Sequence, residues 1–485
     1  MPEPSHRRRL LVLAICCMSL FIVGMDNTIV NVALPSIGRQ WGASMSDLQW
    51  TVDAYTVVLA SLLILSGSTG DRLGRRRTFQ TGLVLFVLGS LACSLAPGLG
   101  ALVAFRALQA IGGSMLNPVA LSIITNVFPN PRERAQAIGV WGGVIGISMG
   151  LGPVIGGLLT ESVTWRAIFW INVPIGVAAI VLTALFVPES RAPRGRRPDP
   201  VGQLLMIVML LSLTYAIIEA PRSGVGWLSV QTWSLFAVVA LAMAGFVWYE
   251  PRRTDPLIDL RFFRSASFTG ATLVAVCAFV ASGGLLFVST VYLQLSRGLS
   301  PLRAGLFIVP EALMIAVLAP ISGRLVATRG ARLPMSVAGL AMAFSALLLT
   351  GWTEHTSYAY LLITFVIFGA AFGLVNAPLT NAAVAGMPRS QGGVAAAVAS
   401  TSRQVGASLG VAIAGSLINS RLRGPMTVGL ASASRPVWWL IVGCGLAIFV
   451  IALLTTGAWA RRTAARAADL FEHDSERAAA VHAIR

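Results

Sequence analysis

After Arg7-Arg8-Arg9, an apolar run from Leu10 to Val23 leads into Gly24-Met25-Asp26-Asn27-Thr28-Ile29-Val30-Asn31-Val32-Ala33-Leu34-Pro35. At about 1.5 Å of rise per residue, a helix over this stretch crosses a hydrocarbon layer about 30 Å thick. The arginines stop it on one side, and Asp26 falls inside the layer, in the half far from them. A carboxylate there is costly unless it is protonated, paired or wet. Asp26 therefore either takes part in function or is bonded to a neighbouring helix. The stretch begins like a signal peptide but runs on past that length without a small-residue cleavage site, so it is expected to be a retained first span.

The rest of the chain agrees with a membrane solvent. Of 485 residues, 56% are hydrophobic and 11% charged, and the mean hydropathy is +0.77. A soluble domain does not need so many long apolar segments. The net charge of +17 would suggest nucleic acid in a soluble chain, but here the arginines sit in short loops between spans, where charge sets orientation. All 36 Lys/Arg positions are arginine, which fits a GC-rich coding sequence better than a chemical need. Cys16, Cys17, Cys93, Cys277 and Cys444 all lie in apolar segments without metal-ligand spacing, so they read as packing residues and not disulfides.

Hydropathy divides the chain into fourteen spans, near 10–34, 48–70, 78–97, 101–127, 136–160, 166–187, 201–220, 231–249, 265–295, 301–327, 334–352, 357–385, 392–418 and 436–459. On the side of the N-terminus lie 26 arginines, against eight on the other side, which places both termini in the cytoplasm. The loop repeat Gly67, Gly74, Arg76 returns as Gly323, Gly330, Arg332, although Asp71 becomes Ala327. Two halves related by a parallel repeat are typical of transporters. The expected fold is thus an all-α integral membrane protein. Its parts are a six-helix bundle over 1–190, two inserted spans and a linker over 191–264, a second six-helix bundle over 265–460, and a tail over 461–485. The linker Glu250–Arg264 could lie on the membrane face, and Asn419–Pro436 is an external loop.

Five motifs carry a family resemblance. Gly67 to Arg77 resembles the GxxxDRxGRR loop of the major facilitator superfamily. Phe105 to Gly113 resembles its fourth-span RxxQGxG motif, with Ala110 in place of the first glycine. Gly146 to Gly157 resembles its fifth-span antiporter motif. Asp26–Pro35, and Trp165-Arg166 through Phe169, Asn172 and Pro174, are similar to signatures of the fourteen-span drug:proton antiporters. The resemblance implies the major facilitator fold, a gating role for Gly67, Asp71, Arg72, Gly74, Arg75 and Arg76, and a rocking surface at Gly146, Gly150, Gly152, Pro153, Gly156 and Gly157. The plain physical alternatives are charge that merely sets topology and small residues that merely pack.

The embedded charges are the candidates for coupling. Asp26, Asp53 and Arg106 lie at similar depth and could share one cavity, either to move protons or as a static ion pair locking three helices. Glu311 lies near mid-depth in the second half, with Arg403 as its most obvious partner, while Glu219 reads as a solvated span end. Asn31, Tyr55, Gln109, Gln294, Asn376 and Arg403 are candidates to line a substrate cavity. Trp50 and Tyr292 are weaker, since aromatic residues near span ends anchor at the interface.

No phosphate-binding loop is present, and His6, His355, His473 and His482 fall in tails or loops. Neither catalysis, a metal site nor a cofactor is expected. The expectation is a monomeric, proton-driven exporter of amphipathic, cationic drugs or toxic metabolites in a bacterial inner membrane, with no nucleic-acid partner. A dedicated exporter of one antibiotic shares every motif. An uptake symporter and a membrane sensor rank lower.

Overall fold

The computed structural model describes residues 6–191, 197–222, 225–384, 392–422 and 426–483. The N-terminal spans are α1 (His6–Trp41), α2 (Met45–Leu73), α3 (Arg75–Ser94), α4 (Leu99–Val127), α5 (Pro131–Ser162) and α6 (Asn172–Phe186). Next come α7 (Pro200–Glu219) and α8 (Val230–Tyr249). The C-terminal spans are α9 (Ala266–Val291), α10 (Pro301–Arg329), α11 (Arg332–Leu349), α12 (Tyr358–Val384), α13 (Gly392–Asn419) and α14 (Arg435–Thr455), before a tail helix α15 (Ala458–Ala483). Thirteen described helices are long and apolar enough to cross a membrane. The remaining span, α13, has the length but carries Arg403, Gln404 and many small residues in place of a continuous apolar run.

Local chemistry sets the helix starts. Ser44 and Asp47 form a capping box before α2, and Asp199, Ser229, Ser265 and Ser300 accept from the first-turn amides of α7, α8, α9 and α10. Pro200 and Pro301 stand in the first turn, where no amide hydrogen is needed. The repeated glycines also have a local reason. Gly74 and Gly330 take φ of +116° and +80°, so each closes its helix in a backbone conformation that costs a side chain dearly.

The same neighbours recur in both halves. In the first, α1 packs on α4, α5 and α6, and α4 on α2 and α3, with α3 against α6. In the second, α9 packs on α12, α13 and α14, and α12 on α10 and α11, with α11 against α14. The halves meet along two seams, α5 with α10 and α2 with α13. The inserted helices pack on one another, and α7 lies on α2 and α13, so the insertion covers one seam and leaves the other free.

The two ends of the α5–α10 seam differ. Residues 139, 143, 146, 150 and 157 share one face of α5, because residues separated by seven, eleven or eighteen positions return to nearly the same azimuth at about 3.6 residues per turn. On that face a Cβ at Gly157 would lie 2.5 Å from the Pro301 carbonyl oxygen, and one at Gly150 would lie 2.8 Å from Ala312 Cβ. Gly139, Gly143 and Gly146, nearer the termini, have nothing within 4 Å of the same position. On α10, Gly305 is pressed against the Pro153 carbonyl, while Gly323, eighteen residues on, is free. The seam is closed at the face remote from the termini and open toward them.

Two loops differ from expectation. The 250–264 linker tucks inward, burying Leu257, Ile258 and Phe262 in one apolar cluster with Val57, Ala60 and Phe268, instead of lying on the membrane face. The connection between α13 and α14 holds a short helix, Met426–Ala433, which packs beside the π-turn Tyr292–Ser296 ending α9.

Candidate functional site

Asp26 is fully enclosed in the N-terminal bundle. Arg106 of α4 donates to its Oδ2 at 2.5 Å, and Gln109 and Asn172 donate to Oδ1 at 2.9 and 3.1 Å. Arg106 also donates to the Gln109 Oε1 (2.8 Å) and to the Thr51 carbonyl (3.2 Å), and its guanidinium lies 4.2 Å over the Tyr55 ring. Ser90 of α3 accepts from Asn172 at 3.1 Å. Taking two charges out of water is offset only when geometry and extra hydrogen bonds are good; here five helices supply them. Asn172 is the residue that reasoning on embedded charge missed, although it is the polar residue opening an otherwise apolar α6.

Asp53 does not join this network. Thr51 and Tyr55 are one turn apart and face Arg106, so residue 53 points about 200° away from Thr51. Its Oδ1 accepts from Thr56 at 3.2 Å. Ser408 of α13 stands beside it across the seam, but Oδ2 closes no hydrogen bond. The expectation of one cavity for Asp26, Asp53 and Arg106 is therefore corrected: Asp26 and Arg106 meet inside one half, and Asp53 faces the other.

In the second half Glu311 is buried, 7% exposed, and among the described residues no hydrogen bond or ion pair reaches its carboxylate. Arg403 is not its partner, because its Nη2 donates to Thr380 Oγ1 at 2.5 Å and its Nε is left without an acceptor. Asn376 is half-buried nearby in sequence on α12 and bonds back to the Phe372 carbonyl.

Four other expected positions move. Gln109 is part of the Asp26 network and not a cavity wall, and Tyr55 lies under Arg106. Gln294 crosses the closed end of the interface and donates to the Val32 carbonyl at 2.8 Å. Glu219 is buried, not solvated, since Trp50 Nε1 donates to it at 2.9 Å and Arg222 pairs with it at 3.2 Å. Asn31 is buried with its Oδ1 unpartnered. Tyr292 stacks on Trp352 and donates to the Thr353 carbonyl. Gln49, not foreseen, donates to the Val411 and Ala412 carbonyls of α13 at 3.2 and 2.7 Å, and Gly415 leaves room for it.

The loop between α2 and α3 is clamped within its own half. Arg75 donates twice to Asp71 Oδ1, at 2.9 and 3.1 Å, and reaches the Ser122 carbonyl. Glu189, after α6, accepts from the Arg76 amide at 3.1 Å and lies 3.8 Å from Arg77. Arg72 is exposed, and Gly67 lies against Pro118 of α4. In the fifth-span motif Gly152 and Gly156 lie against Thr28 and Ile29 of α1, while Gly150, Gly157 and Pro153 meet α10.

Residues 16–411 match the model of the Major Facilitator Superfamily. The chain belongs to that superfamily. It is 38% identical over 413 residues to the multidrug resistance protein Stp of Mycobacterium tuberculosis, covering 85% of this chain and 76% of that one. It is 37% identical to the tetracenomycin C resistance and export protein of Streptomyces glaucescens, covering 86% and 78%. The fold is shared with a bacterial homologue of the human lysosomal transporter Spinster in an inward-facing, occupied conformation, at a TM-score of 0.65 and 17% identity over 95% of this chain and 98% of that one. This major facilitator protein is a multi-pass membrane transporter.

Proposed function

We propose that the chain exports amphipathic, cationic drugs or toxic metabolites in exchange for protons, by alternating access. Its relatives named for multidrug resistance and for tetracenomycin C resistance and export support the outward direction and drugs as the substrates. The arginine bias supports cytoplasmic termini, and on that reading the open end of the α5–α10 seam faces the cytoplasm. The observation that carries the coupling is the unequal treatment of embedded carboxylates. Asp26 is neutralised by Arg106, whereas Glu311 is buried without a cation. A carboxylate in hydrocarbon depth without a partner favours a proton or a cationic ligand, and the two compete for it.

In this reading the Asp26–Arg106 pair holds the first half together through the cycle. Glu311 takes a proton from the far side and trades it for the substrate on the cytoplasmic side. The shape change is a rocking of the halves about the closed contacts of Gly150, Gly157, Gln49 and Gln294, and the Asp71–Arg75 loop steadies the first half. Gly152 and Gly156, packed on Thr28 and Ile29, keep α5 close to α1 during the motion. The test is transport in inverted vesicles: addition of a lipophilic cation releases protons from an acid interior if the reading holds. A neutral antibiotic as the sole substrate favours the dedicated-exporter alternative.

A further inference from the structure

At the base of the inserted helices, away from both bundles' central charges, two carboxylates are buried face to face. Asp199 caps α7, its Oδ1 accepting from the Gly202 amide at 2.9 Å. Glu250 follows α8 and is fully buried, and Asp199 is 3% exposed. Both converge on one point: a Cβ on Gly202 would run into Glu250 Oε1 and lie 2.8 Å from Asp199 Oδ2. Among the described residues Glu250 Oε1, Glu250 Oε2 and Asp199 Oδ2 close no hydrogen bond.

Among the described residues nothing neutralises them. The Leu257 and Ile258 amides of the linker face Glu250. Tyr249 lies beside Asp199, and Arg253 lies over the Tyr249 ring at 5.7 Å with its Nε unpaired. Arg197 directs its amide to Asp255 at 3.4 Å. Gln203, beside Gly202, donates to the Ser61 carbonyl of α2 at 2.5 Å. Among the described residues no ion pair reaches either acid.

Two carboxylates crowded together out of water cannot both carry charge at moderate cost, and a proton between them satisfies two orphaned oxygens at once. We propose that Asp199 and Glu250 share one bound proton, which ties the start of α7 to the linker leading into the second half. The site lies outside the two six-helix bundles and does not depend on the export reading. It makes the attachment of the insertion sensitive to pH on the side of the termini.

The test is infrared spectroscopy of the full-length protein in lipid nanodiscs, titrated from about pH 5 to about pH 9, with the melting temperature followed in parallel. The expected wild-type spectrum keeps a protonated-carboxyl C=O band through neutral pH, one carboxyl of which is lost in Glu250→Gln and equally in Asp199→Asn. Either amide can donate to the carboxylate that remains and so displace the proton, and the Asp199→Asn change preserves the helix cap, since asparagine also accepts from the first-turn amides. The wild-type melting temperature falls as pH rises, since the folded chain holds a proton that the unfolded chain releases, and each variant flattens that slope. A band unchanged in both variants overturns the proposal. So does a band lost only in Glu250→Gln, which places the proton on Glu250 alone. A wild-type melting temperature raised by sodium chloride over choline chloride at fixed alkaline pH, and not in the variants, identifies a metal ion and overturns it as well.

Discussion

Asp26 and Glu311 each interrupt an apolar helix, one in each half of a repeated fold, yet among the described residues Asp26 takes three side-chain donors and Glu311 takes none. The first half has spent its embedded charge on holding α1, α2, α3, α4 and α6 together. The second half keeps a carboxylate free. The difference teaches that an intramembrane acid is not by itself a binding group: what matters is whether neighbouring helices already satisfy it.

The sharpest way to break the comparison is to remove the Asp26 charge. Asp26→Asn leaves Arg106 buried without a counter-charge, and the expected loss of stability is about 3–5 kcal/mol. It is read as a fall in melting temperature in detergent, with transport abolished. Asp26→Asn combined with Arg106→Gln recovers part of the stability but not transport. A single variant as stable as wild type would show that the pair is not what holds the half together.

Next in size is the closed end of the seam. Gly157→Val drives a side chain into the Pro301 carbonyl, and overpacking of this kind costs about 1–3 kcal/mol. Spin-label distances across α5 and α10 at the face remote from the termini are expected to lengthen, moving the population away from the present state. Gly74→Ala is comparable. It forces a side chain into φ of +116° and against Glu189, at about 1–3 kcal/mol for the backbone alone, and the melting temperature reads it while substrate affinity stays unchanged. Smallest is Gly139→Ala at the open end, where no atom lies within 4 Å. There the better helix former is expected to stabilise by about 0.5–1 kcal/mol, visible as an unchanged or slightly higher melting temperature.

Depth along each helix was legible in the sequence, because rise per residue converts position into distance from the membrane face. The spans and the equal depth of Asp26 and Arg106 follow from that, and the loop repeat marked the glycines at 74 and 330. Azimuth was not legible. Asp53 shares the depth of Arg106 but turns away from it, because two residues along a helix reverse the direction of a side chain. Gln109 and Gln294 were polar and embedded, which suits a cavity wall equally well as a bond to a neighbouring helix. Glu189 and Asn172 could be placed only once α6 lay against α1 and α3, since their partners are far away in sequence.

The most direct measurement compares wild type with Glu311→Gln in inverted vesicles energised to an acid interior, with a pH-sensitive dye and ethidium as the added cation. Glu311 makes no hydrogen bond to lose, so the variant is expected to insert and melt as wild type does. Ethidium is expected to release protons from wild-type vesicles and not from the variant, while Asp26→Asn fails through loss of the fold. Equal proton release from wild type and Glu311→Gln would contradict the account and return the coupling to Asp26 or Asp53.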